Sequence, residues 1–412
     1  MQSHKAQGNV REDPGVRKPK IPQWCSLHNL WIIVVIFVTV ILVVQALGIR
    51  DMRMKYEKVL KPWIFQVNNR MLEKTCQPKT HLMFLKTHKT ASSTVLNILY
   101  RFGDARNLTF ALPYQYYFGY PYLFKATMVK SYSPEKAQKF HILCHHMRFY
   151  KPQVEKVMPN GTFYVSILRN PVTLMESSFT YYKGSCSVFR KVNSLTQFLA
   201  DPWKYYSPDG HDNQYARNTM WFDFGFDNNA NDTEEYVDFV INEIENTFHL
   251  ILISEYFDES MVLLKDALCW EFDDVVSFKL NVRNKVTVRS LSEVDVKRIK
   301  AWNSLDWRLY LHFNQTFWQK VEQYGRKRMA DDVLVLQRAG KELGDLCLNG
   351  SRPVDTSQIQ DKKLKPYQQG NARIMGYNLN TNLDESTWEK CIRMVTPELQ
   401  YKDRLDAKLF PP

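Results

Sequence analysis

The chain has 412 residues, 44% of them hydrophobic and 24% charged, a globular composition with room for one large domain or two ordinary ones. Its net charge of +12 raises nucleic acid as a partner, but the basic residues are scattered and no nucleic-acid motif occurs, so that class is set aside. An acidic small co-substrate, or simple solubility, fits the charge better. Aromatic residues make up 14%, which suits a site that grips sugars, although most of them are accounted for by an ordinary core.

Residues 1–29 are polar, with prolines at 14, 19 and 22, and predict a disordered cytoplasmic tail. Leu30–Leu47 is a run of 18 residues without a charge, near the minimum that spans a bilayer. No small-residue cleavage signature follows closely, so the run predicts a retained signal anchor rather than a cleaved leader. Basic residues flank it on both sides and leave its orientation open. The sequons decide: Asn107, Asn160, Asn231, Asn314 and Asn349 all follow the run and none precedes it, which predicts a lumenal body. Residues 48–77 predict a stem with Ile49, Met52, Tyr56, Val59 and Trp63 at helical spacing, interrupted at Pro62. Such a helix could pair with a second chain, giving a homodimer, or stand alone. Cys25 falls on the tail side. Cys76, Cys144, Cys186, Cys269, Cys347 and Cys391 fall in the body, where up to three disulfides could form. No Cys/His spacing suggests zinc, and no metal is expected.

The body, residues 78–404 before a short tail at 405–412, alternates strands and helices. Strands are predicted at His81–Leu85, His141–Leu143, Phe163–Leu168, His249–Ile253 and Val275–Leu280. Helices are predicted at Ser92–Phe102, Pro171–Tyr182, Glu234–Phe248 and Glu259–Leu268. The strands are continuous apolar runs, as in a parallel sheet covered on both faces. The expectation is therefore an α/β fold, a mostly parallel sheet flanked by helices. A helical stretch, Ser292–Gly340, follows, with Ser292 and Asp295 set as a cap. The segment from Leu346 is expected to wrap the body under disulfide restraint.

Two stretches carry the chemistry. His81–Tyr100 reads strand, loop, helix, and its loop holds Lys86, Lys89, Thr90, Ser92, Ser93 and Thr94. Backbone amides and a helix N-terminus converging on one point attract phosphate or sulfate. The loop has no glycine, so it is not the nucleoside triphosphate loop. In Phe163–Tyr182, a strand ends at Arg169, Pro171 opens a helix, and Ser177 and Ser178 follow on it. A guanidinium with a nearby hydroxyl makes a phosphate clamp. An acceptor hydroxyl would need a base, and histidine suits. His88 lies beside Lys89, and His146 lies just past the end of the predicted strand His141–Leu143, so both are candidates, while His145 reads as structural. Tyr114, Tyr116, Tyr117, Phe118, Tyr120 and Tyr122 could form a stacking wall for a sugar or a buried cluster. Arg148 is a further basic candidate.

The pair K-T-x-S-S-T and L-R-N-P-(x)5-S-S resembles the two-part signature of sulfotransferases that use 3′-phosphoadenosine 5′-phosphosulfate. The strings FLKTHKTASSTVLNILYRF, VMPNGTFYVSILRNPV, MWFDFGFD, YFDESMVLLKDALCW and LDWRLYLHFN resemble the galactose-3-O-sulfotransferase family over roughly residues 80 to 402. That resemblance implies a P-loop-like sulfotransferase fold on a single-pass type II anchor in the Golgi membrane. It implies that Lys89 serves the 5′-phosphosulfate, with Lys86, Thr90, Ser92, Ser93 and Thr94 around it, and that Arg169 and Ser177 hold the 3′-phosphate. The implied reaction moves a sulfuryl group to the 3-hydroxyl of terminal β-galactose on a glycan acceptor, of glycoprotein type, with galactosylceramide as the alternative. In many sulfotransferases the position of His88 is proline, so histidine there is a departure. A nucleotide kinase lacks its glycine loop here, a glycosyltransferase its D-x-D motif, and a membrane lectin would not need Lys89, Arg169 and Ser177 together.

Overall fold

The computed structural model describes residues 76–411, together with Val35, Ile36, Val38, Thr39 and Gln45. The predicted tail, most of the anchor and nearly all of the stem lie outside the described residues. Among the described residues no helix is long and apolar enough to cross a membrane.

The body is built on a five-stranded sheet in the order β2-β3-β1-β4-β5. The strands are β1 Leu82–Leu85, β2 Phe110–Ala111, β3 Ile142–Leu143, β4 Phe163–Leu168 and β5 Leu250–Ile253. All four pairings are parallel. Every residue of the five strands is buried, which is why their sequences read as unbroken apolar runs. Four strands match the predicted runs. The strand β2 was not predicted: two residues, Phe110 and Ala111, are too short to make a periodic signal. The predicted strand Val275–Leu280 does not form. Its first residue ends a helical turn, Phe272–Val275, and the rest runs as an extended strap. The strap's polar groups are met by side chains instead of a ladder. Arg101 donates to Val276 O at 2.6 Å, Tyr377 Oη donates to Lys279 O at 3.0 Å, and Leu280 N–H donates to Thr94 Oγ1 at 3.0 Å.

Helix α1, Ser92–Ala105, follows β1, and α2, Pro171–Tyr181, follows β4. In α2, Asn170 caps the N-terminus through its side chain and Pro171 takes the first turn, where a missing N–H costs nothing. The helical stretch after Ser292 divides into Glu293–Trp302, Ser304–Tyr324 and Arg326–Cys347. Ser292 Oγ accepts from Asp295 N–H at 3.1 Å, the predicted cap. Gly325, at φ 97°, makes the second break, a conformation that other residues reach only with strain. The last helix runs Glu398–Leu409, so the fold continues past residue 404. Four sequon asparagines, Asn107, Asn160, Asn231 and Asn349, are exposed outside helices and strands, whereas Asn314 lies half-buried inside Ser304–Tyr324.

Cys347 and Cys391 form a disulfide that pins the C-terminal segment to the preceding helix. Cys76 and Cys269 are also disulfide-bonded. Cys144 and Cys186 are free and buried. Cys347–Cys391 closes a loop of 44 residues in the unfolded chain. Replacing both cysteines by alanine is expected to lower stability by about 2–4 kcal/mol, seen as a fall in thermal midpoint. A midpoint equal to that of the parent would show that helix packing alone holds this segment.

Candidate active site

Strand β1 is the centre of the sheet, and the chain order reverses on either side of it. Ligands of such sheets bind beyond the carboxyl ends of the strands at that reversal. The loops after β1 and β4 meet there, on the wall of a cavity of about 980 Å³.

The loop after β1 is rooted by hydroxyls. Ser166 on β4 donates to Leu85 O at 2.9 Å, and Thr87 Oγ1 donates across to Ile167 O. Thr90 Oγ1 and Ser92 Oγ both donate back to Thr87 O, at 3.1 and 2.7 Å. This bracing holds Lys89 at φ 62° and Ala91 at φ 65°, left-handed values without glycine, at a cost of roughly 1–2 kcal/mol each. In return the chain turns its amides outward. The backbone N–H groups of Lys89, Thr90, Ala91, Ser92 and Ser93 find no acceptor among the described residues, and Ala91 caps α1 without a side-chain bond. A helix N-terminus with a fan of free amides is an anion cradle.

The predicted donor residues divide by role. The hydroxyls of Thr90 and Ser92 serve the loop itself, so those residues offer their backbone amides. Ser93 Oγ donates to Glu398 Oε2 at 2.7 Å and accepts from Asn281 at 2.8 Å. Thr94 Oγ1 accepts from Leu280 N–H and keeps its own hydrogen to give. Lys89 Nζ lies 3.5 Å from the Tyr181 ring centre. Burial and the nearby charges of Arg169, Arg283 and Lys86 bring its pKa down to about 7. Arg169 donates to Lys89 O at 2.9 Å and to Thr173 Oγ1 at 3.0 Å, which joins the two predicted stretches across 80 residues of sequence. Ser177 is buried on the cavity wall. Beside it Arg283 pairs with Glu176, and its buried Nη1 has no partner among the described residues. Arg289 also lines this end, its N–H bonded to Glu176 Oε1 at 3.1 Å. Free amides at one end and an orphaned guanidinium nitrogen at the other fit a nucleotide carrying anionic groups at two positions.

The two histidine candidates are stacked, ring centres 3.9 Å apart and nearly parallel, yet their hydrogen bonds differ. Around His146, the Lys86 carbonyl lies 2.8 Å from Nδ1 and the Lys86 ammonium 2.7 Å from Nε2. A carbonyl only accepts and an ammonium only donates, so Nδ1 carries the proton and Nε2 is occupied. Burial first, then the neighbouring His88 and Lys86, hold the His146 pKa well below its usual value. Around His88, Nδ1 lies 2.9 Å from Asp223 Oδ1, and the His88 backbone N–H reaches Asp223 Oδ2 at 2.8 Å. Tyr120 Oη donates to the same carboxylate at 2.9 Å. Asp223 thus fixes the ring by Nδ1, and Nε2 has no hydrogen-bond partner among the described residues. The carboxylate belongs to the short helix α3, Thr219–Asp223, whose Met220 and Trp221 amides are held by Asp306 at 3.2 and 2.8 Å.

The tyrosine cluster splits. Tyr116, Tyr117 and Tyr120 line the cavity, joined by Tyr182 and Tyr215, which stack on each other at 3.8 Å. Tyr114 and Tyr122 point to solvent, and Phe118 is in the core. Arg148 is off the cavity, stacked on Phe222 at 4.1 Å with Nη2 on Phe226 O. His145 is a core residue bonded to Tyr100 Oη at 2.8 Å. Asp223, Glu176, Arg283 and Glu398 were not picked out from sequence. The signal for Asp223 was present: a carboxylate flanked on both sides by aromatic residues, in Trp221-Phe222-Asp223-Phe224, needs a buried partner.

The galactose-3-O-sulfotransferase family model matches residues 16–409. Galactose-3-O-sulfotransferase 2 of Sus scrofa is 53% identical over 341 residues, 81% of this chain and 85% of that protein. The Homo sapiens protein of that name is 51% identical over 339 residues, again 81% and 85%. Human galactosylceramide sulfotransferase is 45% identical over 340 residues, 81% of this chain and 80% of that protein. The chain therefore belongs to the galactose-3-O-sulfotransferase family.

Proposed function

We propose that this enzyme transfers a sulfuryl group from 3′-phosphoadenosine 5′-phosphosulfate to the 3-hydroxyl of a terminal β-galactose, with His88 as the base. The observation that carries the reading is the meeting, on one cavity wall, of Lys89 with a helix N-terminus whose amides, and a histidine whose Nε2, have no partner among the described residues. The co-substrate supplies an activated sulfuryl group bridged to a phosphate. The amides of Lys89 to Ser93 and the Thr94 hydroxyl bind at that phosphate. Lys89 neutralises charge developing on the bridging oxygen, an electrostatic role suited to a low-dielectric wall. Arg169, Ser177 and the free Nη1 of Arg283 hold the 3′-phosphate.

His88 Nε2 takes the proton of the acceptor hydroxyl, and Asp223 holds the imidazole in the required tautomer. His146, with both ring nitrogens engaged, braces Lys86 and the back of the His88 ring. Tyr117, 46% exposed and with no partner for its hydroxyl among the described residues, offers a face for galactose. The acceptor is a glycoprotein-type glycan, Gal-β1,3/1,4-GlcNAc or GalNAc. Support comes from the higher identity to the galactose-3-O-sulfotransferase 2 relatives, 53 and 51%, than to galactosylceramide sulfotransferase, 45%. The enzyme works on the lumenal side of the Golgi membrane behind a single N-terminal anchor, as a monomer or a homodimer paired through its stem.

Lys89→Ala is expected to cut sulfate transfer by about 10²–10³-fold while the thermal midpoint is kept; transfer at the parental rate would remove Lys89 from the chemistry. His88→Ala is expected to lose turnover by about 10²–10⁴-fold with binding of adenosine 3′,5′-bisphosphate intact. His146→Ala should lose much less turnover, and the reverse order would reassign the base. Lys89, with its pKa near 7 in the free protein, is largely neutral at pH 8 and is protonated when an anion binds. Bisphosphate binding at pH 8 should therefore take up a proton, measured by calorimetry in buffers of different ionisation enthalpy. Lys89→Met should abolish that uptake, and equal uptake by the variant would place the proton elsewhere.

A further inference from the structure

Among the described residues, three carboxylates line the cavity: Glu176, Asp212 and Glu398. Glu176 is paired with Arg283, and Asp212 lies beside His211. Glu398 differs, because its partners belong to the anion loop itself. Its Oε2 accepts from Ser93 Oγ at 2.7 Å and lies 3.2 Å from Lys86 Nζ. Both partners are buried, and the Glu398 side chain is only 16% exposed. It is also the one opposing charge among the groups that set the low pKa of Lys89.

The carboxylate is held there by rigid structure. Glu398 is the first residue of helix α4, Glu398–Leu409, whose Tyr401 is fully buried. The residues before it are tied to α1, where Asn97 Nδ2 donates to Arg393 O at 2.9 Å. A side chain placed this firmly cannot swing out to make way for a ligand without breaking both contacts.

We infer that Glu398 is an internal counter-anion of the donor loop, holding Lys86 and Ser93 and thereby weakening the grip on nucleotide phosphates. The inference rests on placing the donor on the Lys86–Thr94 loop. Its physical content is a like-charge penalty. A carboxylate beside an anion cradle repels every ligand phosphate bound there, before and after transfer alike. The phosphate contacts are the same for donor and for bisphosphate product, so they add binding that does not help turnover. A fixed negative charge limits that uniform binding, and it also balances Lys86 when no nucleotide is present.

The test is the affinity of the full chain for adenosine 3′,5′-bisphosphate, read by calorimetry, in the parent and in Glu398→Gln. Glutamine keeps an acceptor for Ser93 and removes the charge. The expected result is binding about tenfold tighter, or about 1.4 kcal/mol, with the donor KM falling in step. Unchanged or weaker binding overturns the inference, since a merely structural carboxylate would weaken the site when neutralised. A second comparison removes the ion pair from both sides: Lys86→Met/Glu398→Gln should bind more tightly than Lys86→Met alone, and equal affinity overturns it. Lys89→Ala separates the two readings. If it binds as the parent does, the donor placement fails; if it binds poorly while Glu398→Gln changes nothing, only the role of Glu398 fails.

Discussion

The structure depends on one turn. Between β1 and α1 the chain passes through two left-handed residues, Lys89 and Ala91, neither of them glycine. That turn carries strain, and five backbone amides leave it without acceptors among the described residues. Both costs are borne by surrounding order. Thr87, Thr90 and Ser92 knot the loop to itself, Ser166 ties it to β4, and Arg169 caps the Lys89 carbonyl from the next loop. A glycine loop would reach the same conformation with less strain but with more freedom to lose. Here the hydroxyls supply rigidity, and the amides are left free for an anion.

Around the turn, charge and protonation are divided by geometry more than by residue type. His88 and His146 are stacked on each other, yet one is held by a carboxylate and the other by a carbonyl and an ammonium. The first arrangement leaves a ring nitrogen available; the second uses both. Lys86 and Lys89 are three residues apart, yet Lys86 is tied to Glu398 and His146 while Lys89 lies over the Tyr181 ring among cations. Burial makes these differences strong, because unpaired charge is costly where water is scarce.

Much of this was legible in the residues. Unbroken apolar runs at 82–85, 163–168 and 250–253 marked buried parallel strands, since both faces of such a sheet are covered. Pro171 after Arg169-Asn170 marked a helix start, and Ser292 with Asp295 marked another. The strap after Val275 was misread because a buried extended segment has a strand's composition whether or not a ladder is present. What separates the two is where its carbonyls and amides find partners, and here those are Arg101, Tyr377 and Thr94, distant in sequence. The hydroxyls of the anion loop were read as ligands because sequence shows the groups but not their directions.

The sequence by itself determined the α/β class, four of the five strands, and the gathering of bases, hydroxyls and two histidines around the Lys86–Thr94 loop. These follow from local rules: periodicity, capping, and the density of hydroxyls and bases at the end of a strand. Only the tertiary structure decided which histidine keeps a ring nitrogen without a partner among the described residues, because Asp223 comes from 135 residues away, and which carboxylate meets the anion loop, because Glu398 comes from 305 residues beyond Ser93. Hydrogen-bond direction and charge pairing depend on contacts that chain topology brings together, and no local pattern encodes them.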